Sequence, residues 1–254
     1  MTRPDKTLSF RNVSDLDSGL AAALLAWGLA LADTKYLLGR RLSEWVNGAP
    51  ALEAAVGAAA MTQDELGHAR SLFSMLREFP GAPVELGTET DLQRKEFFAP
   101  AVLNAPWKSW LDVVAINVLF DRALNLVFAA ARGSSFGPLS QRAAKVLQEE
   151  GFHRIYGDGW LARLAGSPDD HRRRLQLAIE KAWLLSEAWI GPEDDPVSRS
   201  LVEAGILAAG PAELRRQWSA EVRNLLEKHD FSMEPAAPEW SAWEPQRREV
   251  LARE

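Results

Sequence analysis

The 254 residues contain no cysteine. That excludes disulfides, thiolate-held zinc, iron–sulfur clusters bound by this chain and thiol catalysis, and it fits a reduced, cytoplasmic setting. Positive charge is not in excess. The 29 Lys and Arg are outnumbered by 35 Asp and Glu, for a net charge of −6, and the pI is about 5.4. Nucleic acid is therefore not an expected partner, because phosphate chains are held by concentrated positive charge. Long apolar runs are missing too. The first ten residues are polar and lack the apolar core of a secretion signal. The most apolar stretch, Leu20 to Ala32, is short for a bilayer and leads straight into Asp33, so no membrane association is expected. No segment alternates with period two for long enough to predict a sheet, and no repeat of fixed period is evident.

What is present is helical spacing nearly throughout. Apolar residues recur at helical intervals from about Asp17 to Val46, and the run is closed by Asn47-Gly48-Ala49-Pro50. A second helix is predicted from about Pro50 to Phe79, ended by Pro80-Gly81. A long polar crossover follows to Pro106, as expected of a bundle that is not simply up-and-down. Further helices are predicted at about 107–132, 137–164 and 169–190, with shorter ones near 197–208 and 211–229. The reading is a single all-α domain. It has a four-helix core over about residues 17–165, a helical C-terminal extension over about 169–230 and a polar tail over 231–254 that is a candidate for docking on a partner.

Histidine is scarce, with four in the chain. Two of the four stand in matching Glu-x-x-His motifs, Glu65/His68 and Glu150/His153, each inside a long helical pattern. Residues three apart share a helix face. Met61, Ala69 and Leu72 flank the first pair, and Val146, Leu147, Tyr156 and Trp160 flank the second. An ionisable pair aimed into an apolar seam is costly unless something neutralises it, and a metal ion does so. Two such motifs on separate helices are half of a carboxylate-bridged two-metal centre; the other half is one inward carboxylate from each remaining core helix. Asp33, among Ala26, Leu29, Ala30, Tyr36 and Leu37, and Asp121, among Val114, Val118, Leu124 and Phe128, are the candidates. Four carboxylates would balance two divalent ions. Oxygen-rich ligation with one imidazole per metal suits two iron ions, or manganese, better than copper.

Other pairings of these residues are open. Asp33 has Lys35 and Arg40 within reach along its helix, Asp121 has Arg122, and His153 has Glu149. The basic runs Arg40-Arg41 and His171–Arg174 read as solvated faces or as holders of an anionic substrate tail. Most of the ten Trp residues fall on helical stripes and are expected to pack the core or an interface.

The block Ala32–Trp45 followed by Gly48-Ala49-Pro50, the block Asp64–Arg70, the stretch from Phe152 to Leu164 and Gln217–Val222 together resemble the phenylacetyl-CoA oxygenase (ring 1,2-epoxidase) subunits of phenylacetate catabolism. The resemblance spans roughly residues 15 to 230. It implies a ferritin-like fold and a multisubunit oxygenase with a separate reductase. It also implies a catalytic subunit that carries a di-iron site and a related structural subunit that has typically lost ligands. The Arg41-Leu42-Ser43-Glu44-Trp45 block looks like the structural branch, yet both Glu-x-x-His pairs, which that branch lacks, are present. The leading expectation is a di-iron monooxygenase-like subunit that activates O2 for epoxidation or hydroxylation of an aromatic acyl-CoA such as phenylacetyl-CoA. Its metal ligands would be Asp33, Glu65, His68, Asp121, Glu150 and His153, and it would work in a homo- or hetero-oligomer. The alternatives are a non-catalytic structural subunit of such a complex, or a ferritin-like oxidase or iron-handling protein. No substrate-binding residue is assigned.

Overall fold

The computed structural model describes residues 9–84, 86, 94, 96–234 and 237–251. Part of the polar crossover, two residues within the tail and its last three residues lie outside these residues. Four long helical rods form the core: α1 (Ser18–Glu44), α2 (Leu52–Leu76), a rod running from Trp110 to Ala131, and α5 (Gly137–Ala165). The third rod consists of α3 (Trp110–Ala115), a π-helical turn (Ile116–Asp121) and α4 (Arg122–Ala131). Against it pack α6 (Asp169–Ile190) and α8 (Pro211–Glu227), while α7 (Pro196–Glu203) packs against α1. This is a ferritin-like all-α bundle with added C-terminal helices.

Asp17 opens α1 by accepting the Leu20 N–H at 2.9 Å, and Ser109 caps α3 through the Asp112 N–H; both satisfy donors that a helix start leaves free. The α1–α2 hairpin packs closely because glycine stands at the contacts. A methyl at Gly28 would meet the Leu76 side chain, and one at Gly39 would meet Leu66 and Glu65. Gly57 of α2 leaves room for the Tyr156 ring of α5, whose hydroxyl donates to the Ala54 carbonyl at 2.9 Å. Gly157 leaves room for Asn117 of the π turn. α2 and α5 are antiparallel, since Arg142 reaches the Ser71 carbonyl while Tyr156 reaches Ala54.

α1 and the third rod are each long and apolar enough to cross a membrane by composition, but 72% and 78% of their most apolar windows are buried within the protein. They are core helices, as expected when a bundle encloses its central elements. Residues 240–251 of the tail fold back on α6 through a two-stranded hairpin, Trp243–Glu244 with Glu249–Val250. Arg248, buried there, donates to the Trp189 and Ile190 carbonyls and to Asp195. One arginine of each basic run is bound internally, Arg172 by the carbonyls of Ala165, His229 and Asp230 and Arg41 by Glu44, while Arg40, His171, Arg173 and Arg174 are exposed.

Candidate metal centre

The two Glu-x-x-His motifs meet at the middle of the bundle. Their histidine rings are 6.5 Å apart, centre to centre, and both are buried. Ligand atoms of Glu65, Asp121, Glu150 and His153 lie within 4.8 Å of one another, so by donor type and spacing this group could hold a metal ion. His68 stands beside it, with Nδ1 3.4 Å from Glu150 and 3.8 Å from Glu65. The outer nitrogens are held crosswise by the residue preceding each motif. His68 Nε2 contacts Glu149 at 2.9 Å, and His153 Nε2 contacts Asp64 at 3.3 Å. Asn125 adds a bond to Glu150 Oε2 at 3.2 Å.

Asp33 is the one expected site residue that the structure takes elsewhere. Its carboxylate receives both guanidinium nitrogens of Arg94, at 2.9 and 2.7 Å, and the Phe98 N–H at 2.7 Å. It anchors the segment ahead of α3 instead of facing the bundle centre. Two residues on, and therefore about 200° round the helix, Lys35 points inward. Its side chain is fully buried, and Nζ lies 2.6 Å from Glu150 Oε1, 2.7 Å from Asp121 Oδ1 and 3.1 Å from Glu65 Oε1. An ammonium has three N–H donors, and here each has its own carboxylate.

That contact decides what the group fits. A metal bound by the same oxygens would lie about 2.0–2.2 Å from them, in the volume that Lys35 Nζ fills. Helix α1 contributes a cation where a two-metal centre needs a fourth carboxylate. The side chains as arranged do not fit two metals. They form three acids facing three bases: Glu65, Asp121 and Glu150 against Lys35, His68 and His153.

The electrostatics follow this pairing. Burial alone would lower the pKa of Lys35, but Asp121, Glu150 and Glu65 outweigh burial and raise it well above the ordinary lysine value. Burial would likewise raise Glu150, yet Lys35 and both histidines hold it well below the usual carboxylate range. Glu65 is pushed up by burial despite Lys35. It stands farther from the ammonium than Glu150 does, and its Oε2 has no hydrogen-bond partner. Burial opposes the charged form of both histidines and is overcome. The nearby carboxylates of Glu150 and Glu65 bring His68 to about 9, and those of Asp121 and Glu150 bring His153 to about 11.

A raised folded-state pKa gives stability that is complete below the unfolded histidine value of about 6.5 and is lost as pH climbs through the folded value. For His68 that window runs from about 6.5 to about 9. The melting temperature is therefore expected to fall between pH 7 and 9, and His68→Gln is expected to flatten the slope. A wild-type melting curve that is level across this window would contradict the pairing.

A family model described as "Phenylacetic acid catabolic protein" matches residues 13–248, and the chain belongs to that family. It is 30% identical over 199 residues to one of the subunits of the 1,2-phenylacetyl-CoA epoxidase of Escherichia coli (strain K12), with 78% of this chain and 79% of that relative covered. It is 29% identical over 151 residues to a different subunit of the same enzyme, with 59% of this chain and 48% of that relative covered. Both relatives belong to one multisubunit epoxidase, so the relationship supports a role in a phenylacetate-catabolic oxygenase complex.

Lys35 is the functional residue that the sequence reading passed over. The signal for it is a stripe at spacings of four and three, Leu24, Gly28, Leu31, Lys35, Leu38 and Leu42, in which a single cation interrupts an apolar seam.

Proposed function

We propose that this chain is a non-catalytic subunit of an oxygenase acting on an aromatic acyl-CoA such as phenylacetyl-CoA, with Lys35 standing where a catalytic relative would hold metal. The observation that carries this reading is the Lys35 ammonium within 2.6–3.1 Å of three buried carboxylates. Buried acids need compensation, and a resident ammonium supplies it without cofactor loading. The chain's own residues then do structural work. Lys35 of α1 ties together Glu65 of α2, Asp121 of the π turn and Glu150 of α5, so that four rods share one ionic hub. Oxygen activation, substrate binding and electron uptake from a reductase fall to a catalytic partner of the same family.

Elemental analysis of the chain, expressed with ample iron and manganese, tests the proposal. The expected result is well under 0.1 metal ion per chain. About two irons per chain would restore the di-iron oxygenase reading and show that Lys35 yields its place.

A further inference from the structure

The C-terminal hairpin, the segment ahead of α3 and α6 enclose a cavity of about 650 Å³. Two ties hold its walls together. The Trp243 indole donates to the Ala188 carbonyl at 2.8 Å and fixes the hairpin to α6. The Ala101 N–H donates to Glu249 Oε2 at 2.7 Å and fixes the hairpin to the segment ahead of α3. Ile116 of the π turn and Ala182 of α6, both buried, line the cavity as well.

Three large apolar side chains, one from each wall, are left open there. Val102 ahead of α3, Leu184 on α6 and Leu251 after the hairpin are 51%, 42% and 49% exposed. Exposed apolar side chains are ordinary one at a time, but three from separate segments on one cavity need an occupant. The volume falls within the ~300–1,000 Å³ of cavities that enclose small organic ligands.

The charges select the kind of ligand. Asp112, Glu239 and Glu249 line the cavity with Lys108 and Lys181. The acids are already engaged. Asp112 accepts the Lys108 and Ser109 N–H groups at 3.1 and 2.9 Å, Glu239 accepts the Ser241 hydroxyl at 2.6 Å, and Glu249 accepts Ala101. The two lysines are exposed, and neither has an ion pair among the described residues. Trp107 lines the same cavity, and its indole N–H is buried with no acceptor among the described residues, although buried donors in native proteins are nearly always paired. A cationic ligand would find no free acid here, whereas an anion finds free donors. Among the described residues no arginine lines the cavity, and two lysines beside three acids are too few for a polyphosphate such as the nucleotide part of an acyl-CoA. A single carboxylate on an apolar body matches both the walls and the charge.

We propose that this cavity binds a free fatty acid, with its chain against Val102, Ile116, Leu184 and Leu251 and its carboxylate at Lys108 and Lys181. The site is separate from the ionic hub and does not depend on what the hub holds. Its walls come from three segments, so a bound chain joins them and steadies the hairpin.

Calorimetric titration of the full chain with decanoate below its micellar concentration, alongside decanol and decyltrimethylammonium, tests the proposal. The expected result is one decanoate per chain, bound at least about tenfold more tightly than the alcohol or the cation, as a charge-assisted contact provides. Lys108→Ala/Lys181→Ala is expected to erase the preference for decanoate over decanol. Val102→Glu/Leu184→Glu sets carboxylates in the cavity at two exposed positions. It is expected to keep its helical content and to weaken decanoate binding by more than about tenfold, while Leu52→Glu, on the outer surface of α2, leaves it unchanged. Decanoate is also expected to slow proteolysis between α8 and the hairpin in the wild type. Decanol bound as tightly as decanoate would overturn the assignment of an anion. Decanoate binding undiminished in Val102→Glu/Leu184→Glu would overturn the assignment of the cavity, and absence of saturable decanoate binding would overturn the proposal as a whole.

Discussion

Lys35→Ala is expected to destabilise the chain by about 3–5 kcal/mol in chelator-treated buffer, the cost of leaving buried charge uncompensated. Three carboxylates, on Glu65, Asp121 and Glu150, would then face one another across the space left by the ammonium. Lys35→Met, which keeps the volume and removes the charge, should lose nearly as much, because packing is not what the side chain supplies. Combining Lys35→Met with Glu150→Gln should cost less than the two single changes together, since each removes the partner that makes the other expensive. The alanine variant has a second expected property. Without the ammonium, Glu65, Asp121, Glu150 and His153 keep a donor set of three carboxylates and one imidazole around open space. Manganese or ferrous ion should then bind and raise the variant's melting temperature by several degrees through mass action, while leaving the wild type unmoved. Denaturant unfolding with and without metal measures both effects.

Arg248→Ala is expected to cost a comparable amount, about 3–5 kcal/mol, at the C-terminal hairpin. Arg248 is 2% exposed. Its guanidinium donates to the Trp189 carbonyl at 2.6 Å, the Ile190 carbonyl at 2.7 Å and Asp195 Oδ2 at 3.2 Å, and it lies 5.3 Å from the Trp189 and Trp243 ring centres. It thus satisfies carbonyls at the end of α6 that the helix leaves free. Asp195 in turn starts α7, accepting from the Val197 N–H at 3.1 Å and the Ser198 hydroxyl at 2.6 Å. Removing the guanidinium would strip a buried carboxylate of its counter-charge, leave two carbonyls without that donor and free the hairpin. Arg248→Lys should recover little, because a single ammonium cannot reproduce the planar fork. The turn beneath is fitted to that fork: Gly191 has φ +96°, and a methyl there would meet Arg248 Nη2. Limited proteolysis should cut the variant between α8 and the hairpin far faster than the wild type.

The rods were legible because their apolar spacing and their Gly and Pro ends are local properties. The predicted spans of α1 and α2 lie within a few residues of the observed ones. The meeting of Glu65, His68, Asp121, Glu150 and His153 was legible for a related reason, since ionisable side chains in apolar seams have few places to go. The orientation of α1 was not. This helix is buried on nearly every side, so its apolar pattern selects no single inward face. Asp33 and Lys35 therefore each sit on a plausible stripe. What separates them is distant in sequence: Arg94 and the Phe98 N–H claim Asp33 from one side, and three carboxylates claim Lys35 from the other. The π turn was hidden as well, because the pattern from Trp107 to Arg132 reads as continuous helix. The packing of the tail on α6 was hidden too, because the partners of Arg248 include main-chain carbonyls that leave no trace in the sequence.

A crystal structure of the full chain, grown with iron present and recorded at the iron absorption edge, tests the central claim most directly. The expected map has the Lys35 ammonium bonded to Glu65, Asp121 and Glu150 and no anomalous peak between the four rods. Two strong peaks bridged by Glu65 and Glu150, with Lys35 displaced from them, would contradict it.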